Sequence, residues 1–442
     1  MIIKDARLTR SDGATVLSAQ CKIRKMGWDP VYFSLSDEPH DGYVMGDASP
    51  FAAALLLPAM RQGEDLIIRG SISKQLHKGM HAIMHEVLEW DIGLKPIRIE
   101  ADILTPDARK PGRSASFFSG GVDSFYTYLK HKTDPLRADR IDTFILIRGF
   151  DIDQRNARLW QRTLQNVSAI ATADDIGLAL VKTNIKTLVD PILVWDYSHG
   201  GCLAAVGLFL RGAFHQIYIP SGRSAGEQVP WGSNLALDGH WSTESTTFVH
   251  DGTEATRINK VIWQIARSPL ALEHLRVCYL NEKESYNCGK CDKCLRTMIN
   301  LYVAGVLEKS GTFPHHISPE LVARVPASDA GDNIYGNENL RALKERSLAP
   351  ELQQAIEASM SRTVVTKKTL KADIEDRVKY LDHVYAGGNV FSVWDRLFRG
   401  KFPRNSLPLV PHIIVFISGC GGRFPEKGAC AWQSVRAGWP QH

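Results

Sequence analysis

The stretch Phe117-Phe118-Ser119-Gly120-Gly121-Val122-Asp123-Ser124 decides how the chain is read. A short apolar segment of strand character leads into it from residue 114, and residues 123–131 behind it carry helical periodicity. Two glycines between strand and helix let the backbone turn tightly and leave successive amides uncovered, while the helix start adds unpaired N–H groups and the positive end of its dipole. Such a turn suits an anion. Ser119 and Ser124 add hydroxyls, and Asp123 can cap the helix or help hold a magnesium ion shared with phosphates. The Gly-Lys-Ser/Thr ending of a Walker loop is missing, and so is the third glycine of a dinucleotide fingerprint. A solvent turn would produce this hexad by chance in a chain of this length on the order of one time in a thousand.

Outward from that turn the same grammar repeats. Strands are expected at 114–118, 143–147, 178–183 and 216–220, with helices at 123–131, 156–173 and 199–214 between them. This alternation predicts an α/β fold, a doubly wound and mostly parallel sheet with helices on both faces, whose ligands bind beyond the carboxyl ends of the strands. Residues 1–108 read as a small N-terminal α+β domain, with strands at 14–23, 30–35, 66–72 and 97–103 and helices at 49–61 and 77–90. Beyond residue 310 the chain turns polar and helical, near 337–361 and again at 367–385. Its last forty residues, rich in proline and glycine, have no periodicity and are expected to be poorly ordered. The organisation expected is thus 1–108, 109–310 and 311–442.

A second constellation is Cys278-X9-Cys288-Gly-Lys-Cys291-Asp-Lys-Cys294. Three thiolates come from one tight turn eased by Gly289, and Cys278 arrives from an earlier segment to complete a tetrahedral site. Zinc fits four sulfurs, with an iron–sulfur cluster as the alternative; a closed site of this kind leaves no open position and is expected to be structural. Cys420 and Cys430, a Cys-X9-Cys pair without partners, make no such site.

The hexad Ser119 to Ser124 resembles the PP-loop of the ATP pyrophosphatase superfamily. Together with the cysteine cluster, followed by Leu295-Arg296 and a helix, it resembles the 7-cyano-7-deazaguanine synthase (QueC-like) group within that superfamily, over roughly residues 114–310. The resemblance implies an adenine nucleotide alpha hydrolase-like (HUP-type) sheet, cleavage of ATP between the α and β phosphates, and zinc on Cys278, Cys288, Cys291 and Cys294. It further implies AMP transfer to a carboxylate, such as a deazapurine-like acid, and amide or nitrile formation with ammonia or an amine. Ser119, Gly120, Gly121, Val122, Asp123 and Ser124 would hold pyrophosphate, and Arg148 and Gly149, after the second strand, stand where relatives contact adenine and ribose. Sulfur transfer to a tRNA base is the alternative within the superfamily, for which Cys202 is the one candidate thiol in the nucleotide region. A nucleotide-binding subunit of a larger assembly, without turnover, is the alternative outside enzymes.

Several other polar positions fall at the expected carboxyl edge. Arg257 and Lys260 lie three residues apart on an expected helix and can face one site, where they would neutralise charge on the α phosphate or departing pyrophosphate. Asp151, the 182–186 run, His199-Gly200-Gly201 and Ser221-Gly222-Arg223 border the same edge, and 230–244, with Trp231, Asp238, Trp241 and Glu244, reads as a substrate loop.

Composition bounds the rest. With 44% hydrophobic and 23% charged residues over 442 positions the chain is of ordinary globular type. No apolar run approaches the ~20 residues of a membrane helix, the first ten residues lack a secretory pattern, and the cytoplasm is the expected location. Net charge is +5, while residues 363–442 alone carry a balance of +6, a basic tail that alternates with acids and supports nucleic-acid binding only weakly. Ile2 follows Met1 and no cysteine precedes Cys21, so no N-terminal glutaminase nucleophile is expected. Nitrogen would come from ammonia, an amine, or a protein partner docked on the N-terminal or C-terminal region.

Overall fold

The computed structural model describes residues 1–11, 13–23, 27–36, 44–104, 112–133, 140–152, 154–280, 285–325 and 333–361. The expected helix at 367–385, the basic tail, Cys420 and Cys430 lie outside the described residues.

The first third of the chain supplies strands β1 (Ile2–Ser11), β2 (Ala14–Lys22), β3 (Asp29–Ser36), β4 (Leu66–Ile72) and β5 (Ile99–Ile103), with helices α1 (Ser49–Gln62) and α2 (Lys74–Leu88). β6 (Arg113–Phe117), α3 (Val122–Lys132), β7 (Thr143–Arg148), α4 (Ala157–Ala173), β8 (Gly177–Thr183), α5 (Ile185–Val189), α6 (Trp195–Phe209), β9 (Phe214–Pro220) and β10 (Thr247–Asp251) follow. Six helices then complete the described chain: α7 (Arg257–Trp263), α8 (Pro269–His274), α9 (Asp292–Val303), α10 (Pro319–Arg324), α11 (Ile334–Glu345) and α12 (Pro350–Ser361).

All ten strands form one sheet in the order β10-β9-β6-β7-β8-β3-β2-β1-β4-β5, mostly parallel. The antiparallel pairs are β1–β2, β2–β3 and β3–β8. The N-terminal strands therefore extend the central sheet through β3, with Phe33 opposite Thr183 and Leu35 opposite Val181, and the expected boundary near residue 108 does not interrupt it. β1 was not expected as a strand; its alternation of apolar and charged residues is that of a ribbon buried on one side.

Side chains alternate between two cores. Along β7, Phe144 and Leu146 enter one face and Ile145 the other; along β9, Tyr218 faces one way and Ile217 and Ile219 the other. One core is roofed by α1 and α6, both nearly all apolar, and by α2; the opposite core is covered by α3, α4 and α7 to α12. Helix α1 begins where Asp47 accepts the Ser49 N–H at 2.8 Å, with Pro50 in its first turn, and ends at Gly63 in a left-handed conformation (φ 68°).

This order reverses at β6. From β6 the chain steps to β7 and β8 on one side, then returns to β9 and β10 on the other, so the crevice between the carboxyl ends of β6 and β9 is the switch point of the sheet.

Candidate functional site

The glycine turn lies in that crevice, at the end of β6. Gly120 has φ 75°, a left-handed conformation that favours glycine, and its carbonyl accepts the Arg276 N–H at 2.7 Å. Gly121 is the N-cap of α3, and the Ser119 hydroxyl accepts the Gly121 N–H at 3.3 Å. No side chain caps this helix: Asp123 sits inside the first turn, a correction to its expected capping role, because Gly121 already occupies the cap in an extended conformation. Ser124 is buried and donates its hydroxyl to the Gly121 carbonyl at 3.1 Å, so it braces the turn, whereas Ser119 is exposed. The first amides of α3, beginning at Val122, have no intrahelical acceptor, the local requirement for an anion site.

Two cations reach Asp123 from α7. Arg257 donates to Oδ2 at 2.8 Å and Lys260 to Oδ1 at 3.3 Å, although both lie more than 130 residues away in sequence. The i, i+3 spacing puts both on one helix face. Lys260 also donates to the Ser221 carbonyl at the end of β9 and lies over the Tyr126 ring. Burial alone would raise the Asp123 carboxyl, but Arg257 and Lys260 outweigh it and hold the group below the usual carboxylate range.

Two further guanidiniums join them. Arg223, from the loop after β9, and Arg296, from α9, flank the ring of Tyr335 on α11 at 5.7 and 4.1 Å from its centre, and Arg257 stands at 5.9 Å. All three charges lie within 6 Å of one ring, hence within about 12 Å of each other, and each pair repels by on the order of 1 kcal/mol at an effective dielectric of about 20. Against these three and Lys260 stand the carboxylates of Asp123, of Asp292, 3.9 Å from Arg296, and of Glu227, which lies beside Glu338. Glu338, 3% exposed, is pushed up to about 7, chiefly by burial, and so offers only part of a negative charge. Arg223 Nη1, Arg257 Nε and Arg296 Nε are buried without a hydrogen-bond partner. Guanidiniums gathered at one place with buried donors left without partners are matched to an anion.

Other expected members have different work. Arg148 donates to the Gln154 carbonyl at 2.7 Å and lies over Trp160, holding the turn after β7. Gly149 (φ 114°) lets that turn approach β8; a Cβ there would lie 2.2 Å from the Thr183 oxygen. Gly200 and Gly201 likewise permit close packing, against the backbone of Gly232 and Ala53. The expected substrate loop divides. Trp231 borders Arg223, but Asp238 and Trp241 are fully buried core, and Glu244 accepts from Ser73 and Gln75 at the start of α2. Arg223, Arg296 and Tyr335 were not expected as a set, because three separate elements deliver them.

The four cysteines of the second constellation converge. Their sulfurs all lie within 4.8 Å of one another, and Cys288 and Cys294 are 3.8 Å apart. A tetrahedral metal with sulfur bonds of about 2.3 Å has edges of about 3.8 Å, so the cluster can hold a metal such as zinc. Lys290 and Cys291 donate their N–H groups to Cys288 Sγ at 3.4 and 3.3 Å, and Cys294 donates to Cys291 Sγ at 3.4 Å, the backbone support that a thiolate set receives in a tight metal knuckle. Gly289 (φ 67°) packs against Pro314, where a Cβ would come within 2.8 Å of the proline ring. Cys291 is the N-cap of α9, so the cluster fixes the start of the helix that carries Arg296.

Among the described residues no helix is long and apolar enough to cross a membrane. Comparison of the chain with protein-family models, with characterised proteins and with solved structures finds no match.

Proposed function

We propose that the chain is an ATP-dependent, AMP-forming ligase of the QueC-like PP-loop type, which adenylates a carboxylate and passes the acyl group to ammonia or an amine. The observation that carries this reading is the glycine turn at the switch point of the sheet, with Arg257 and Lys260 converging on Asp123 beside it.

In this reading an oxygen of the acceptor carboxylate attacks the α phosphorus, the bond from that phosphorus to the β-phosphate bridge breaks, and pyrophosphate leaves into the amides at Gly120 and Val122, with the Gly121 N–H passing to it from the Ser119 hydroxyl. Arg257 and Lys260 neutralise the charge that develops on it. The amine then attacks the acyl carbonyl, loses a proton and displaces AMP. Positioning and electrostatics suffice, and no protein nucleophile is required. A deazapurine-like acid is the acceptor that the resemblance suggests.

Asp123 spends both oxygens on cations, so a resident magnesium ion at this carboxylate does not fit. Magnesium enters as the ion that accompanies ATP. Zinc is assigned to Cys278, Cys288, Cys291 and Cys294, where it would stabilise the fold and the start of α9. Against sulfur transfer stands Cys202, which is fully buried, its thiol pushed up by burial and far from a reactive thiolate.

Chromatography of nucleotide products tests the proposal. Incubation with ATP, magnesium, ammonia and candidate acids should yield AMP and pyrophosphate, whereas ADP as the main product would sink it.

A further inference from the structure

We propose that Tyr335 is a positioning residue that gathers Arg223, Arg257 and Arg296 into one polyanion cradle, making α11 a working part of the nucleotide site. The identity of the polyanion as pyrophosphate rests on the PP-loop reading above; the role of Tyr335 rests on its contacts.

Three guanidiniums repel one another, and a neutral ring with negative π faces is a spacer that attracts all of them. The Tyr335 hydroxyl also donates to the Gly222 carbonyl at 3.0 Å, a tie to the loop that carries Arg223. The loop it grips is braced, since Ser221 Oγ both accepts the Arg223 N–H at 3.1 Å and donates to the Arg223 carbonyl at 2.6 Å.

One face of α11 touches each element that delivers a guanidinium. Tyr335 binds the loop that carries Arg223. Glu338, three residues on, accepts the Ile258 N–H at 3.1 Å, next to Arg257 in the first turn of α7. Asn339, four residues on, accepts from Asn300 of α9 and donates to the Arg296 carbonyl at 3.5 Å. Positions i, i+3 and i+4 share a helix face, so these contacts form one strip. Behind the strip Gly336 lets α11 close on α12, where a Cβ would meet Met360 Sδ at 2.7 Å. A half-buried ring placed only for packing would not gather three arginines that each keep a buried nitrogen without a partner.

The test is isothermal titration of the full chain with inorganic pyrophosphate at fixed salt. Tyr335→Leu, which removes the π faces, should weaken binding about tenfold or more, and Tyr335→Phe, which keeps the ring, should stay within about threefold of the unaltered chain. Leu binding as tightly as Tyr, or Phe failing as badly as Leu, would overturn the proposal. Should the Leu variant not fold, judged by circular dichroism, Arg223→Gln decides: it should also lose about tenfold, and undiminished binding would remove the cradle. Failure of the unaltered chain to bind pyrophosphate or ATP would instead remove the PP-loop reading itself.

Discussion

Replacing Asp123 with Asn probes the electrostatic balance of the site. The carboxylate, about a quarter exposed, faces Arg257 at 2.8 Å and Lys260 at 3.3 Å, whose side chains are 6% and 1% exposed. Removing one partner of a buried ion pair costs about 3 to 5 kcal/mol, and the partial exposure of Asp123 puts the loss near 3 kcal/mol or below. An unfolding entropy of about 2 cal/mol/K per residue, over a unit of this size, turns that into a Tm lower by roughly 4 °C. The same substitution removes a carboxylate that competes with phosphate for these cations. Magnesium-free pyrophosphate should therefore bind Asp123→Asn more tightly than the unaltered chain, and the melting deficit should close when it is added. Calorimetric melting with and without pyrophosphate reads both effects. A deficit that persists unchanged in pyrophosphate, or weaker binding by the Asn variant, would refute the reasoning. Because the Asp123 carboxyl is held below the usual range, its contribution is present above the unfolded value and lost as pH falls through the folded one. The Asn variant should accordingly have a flatter acid limb.

Gly121→Val should abolish pyrophosphate binding with little change in Tm, since a Cβ there already meets Ser119 Oγ at 3.2 Å and the Arg276 carbonyl at 3.5 Å and the branched methyls project over the turn; retained binding by titration would remove the loop from the site. Elemental analysis should find about one zinc per chain, and Cys291→Ser should lower Tm by several degrees, whereas iron with labile sulfide or no metal at all would contradict the zinc assignment. Glu338 is raised from the usual glutamate range to about 7, chiefly by burial, so the folded state holds a proton that the unfolded state releases near 4.5. Stability should fall as pH rises from about 4.5 to 7, by on the order of 2 to 3 kcal/mol, and Glu338→Gln should remove that slope in urea titrations; an unchanged slope would show that Glu338 is not its source.

What could be read in advance followed the range of the interactions involved. Strands such as Thr143–Arg148, with an unbroken run of four large apolar residues, and the turn at Gly120-Gly121 are fixed by neighbours in sequence, and they were legible. The cysteine cluster was legible because three of its ligands lie within seven residues. Arg257 and Lys260 could be paired from helix spacing, though not joined to Asp123, for which no local signal exists. Arg223, Arg257 and Arg296 were each singled out in separate stretches, but their convergence on Tyr335 was not legible, because no local signal joins a loop and two helices that are distant in sequence. Trp241 and Asp238 misled because polar and aromatic residues among glycines suggest a surface loop, whereas packing of Gly79 on the His240 carbonyl buries that segment under α2. Local pattern also could not foresee that β3 would pair with β8, as strands carry no label for a partner some 150 residues away.

That last pairing bears on how the protein is made. Residues 29–36 leave the ribosome well before residues 177–183, so the nascent chain carries the meander of β1 to β3 with one row of amides and carbonyls unsatisfied until β8 has been synthesised. At about 5 to 20 residues per second the wait is on the order of ten seconds or more, long compared with the microseconds in which hairpins form. During that interval the exposed strand is a template for any other extended segment nearby. Deleting the first hundred residues to isolate the half that carries the glycine turn would make the same condition permanent on β8, and loss of solubility in such a truncation would reflect a bare sheet margin rather than loss of the site.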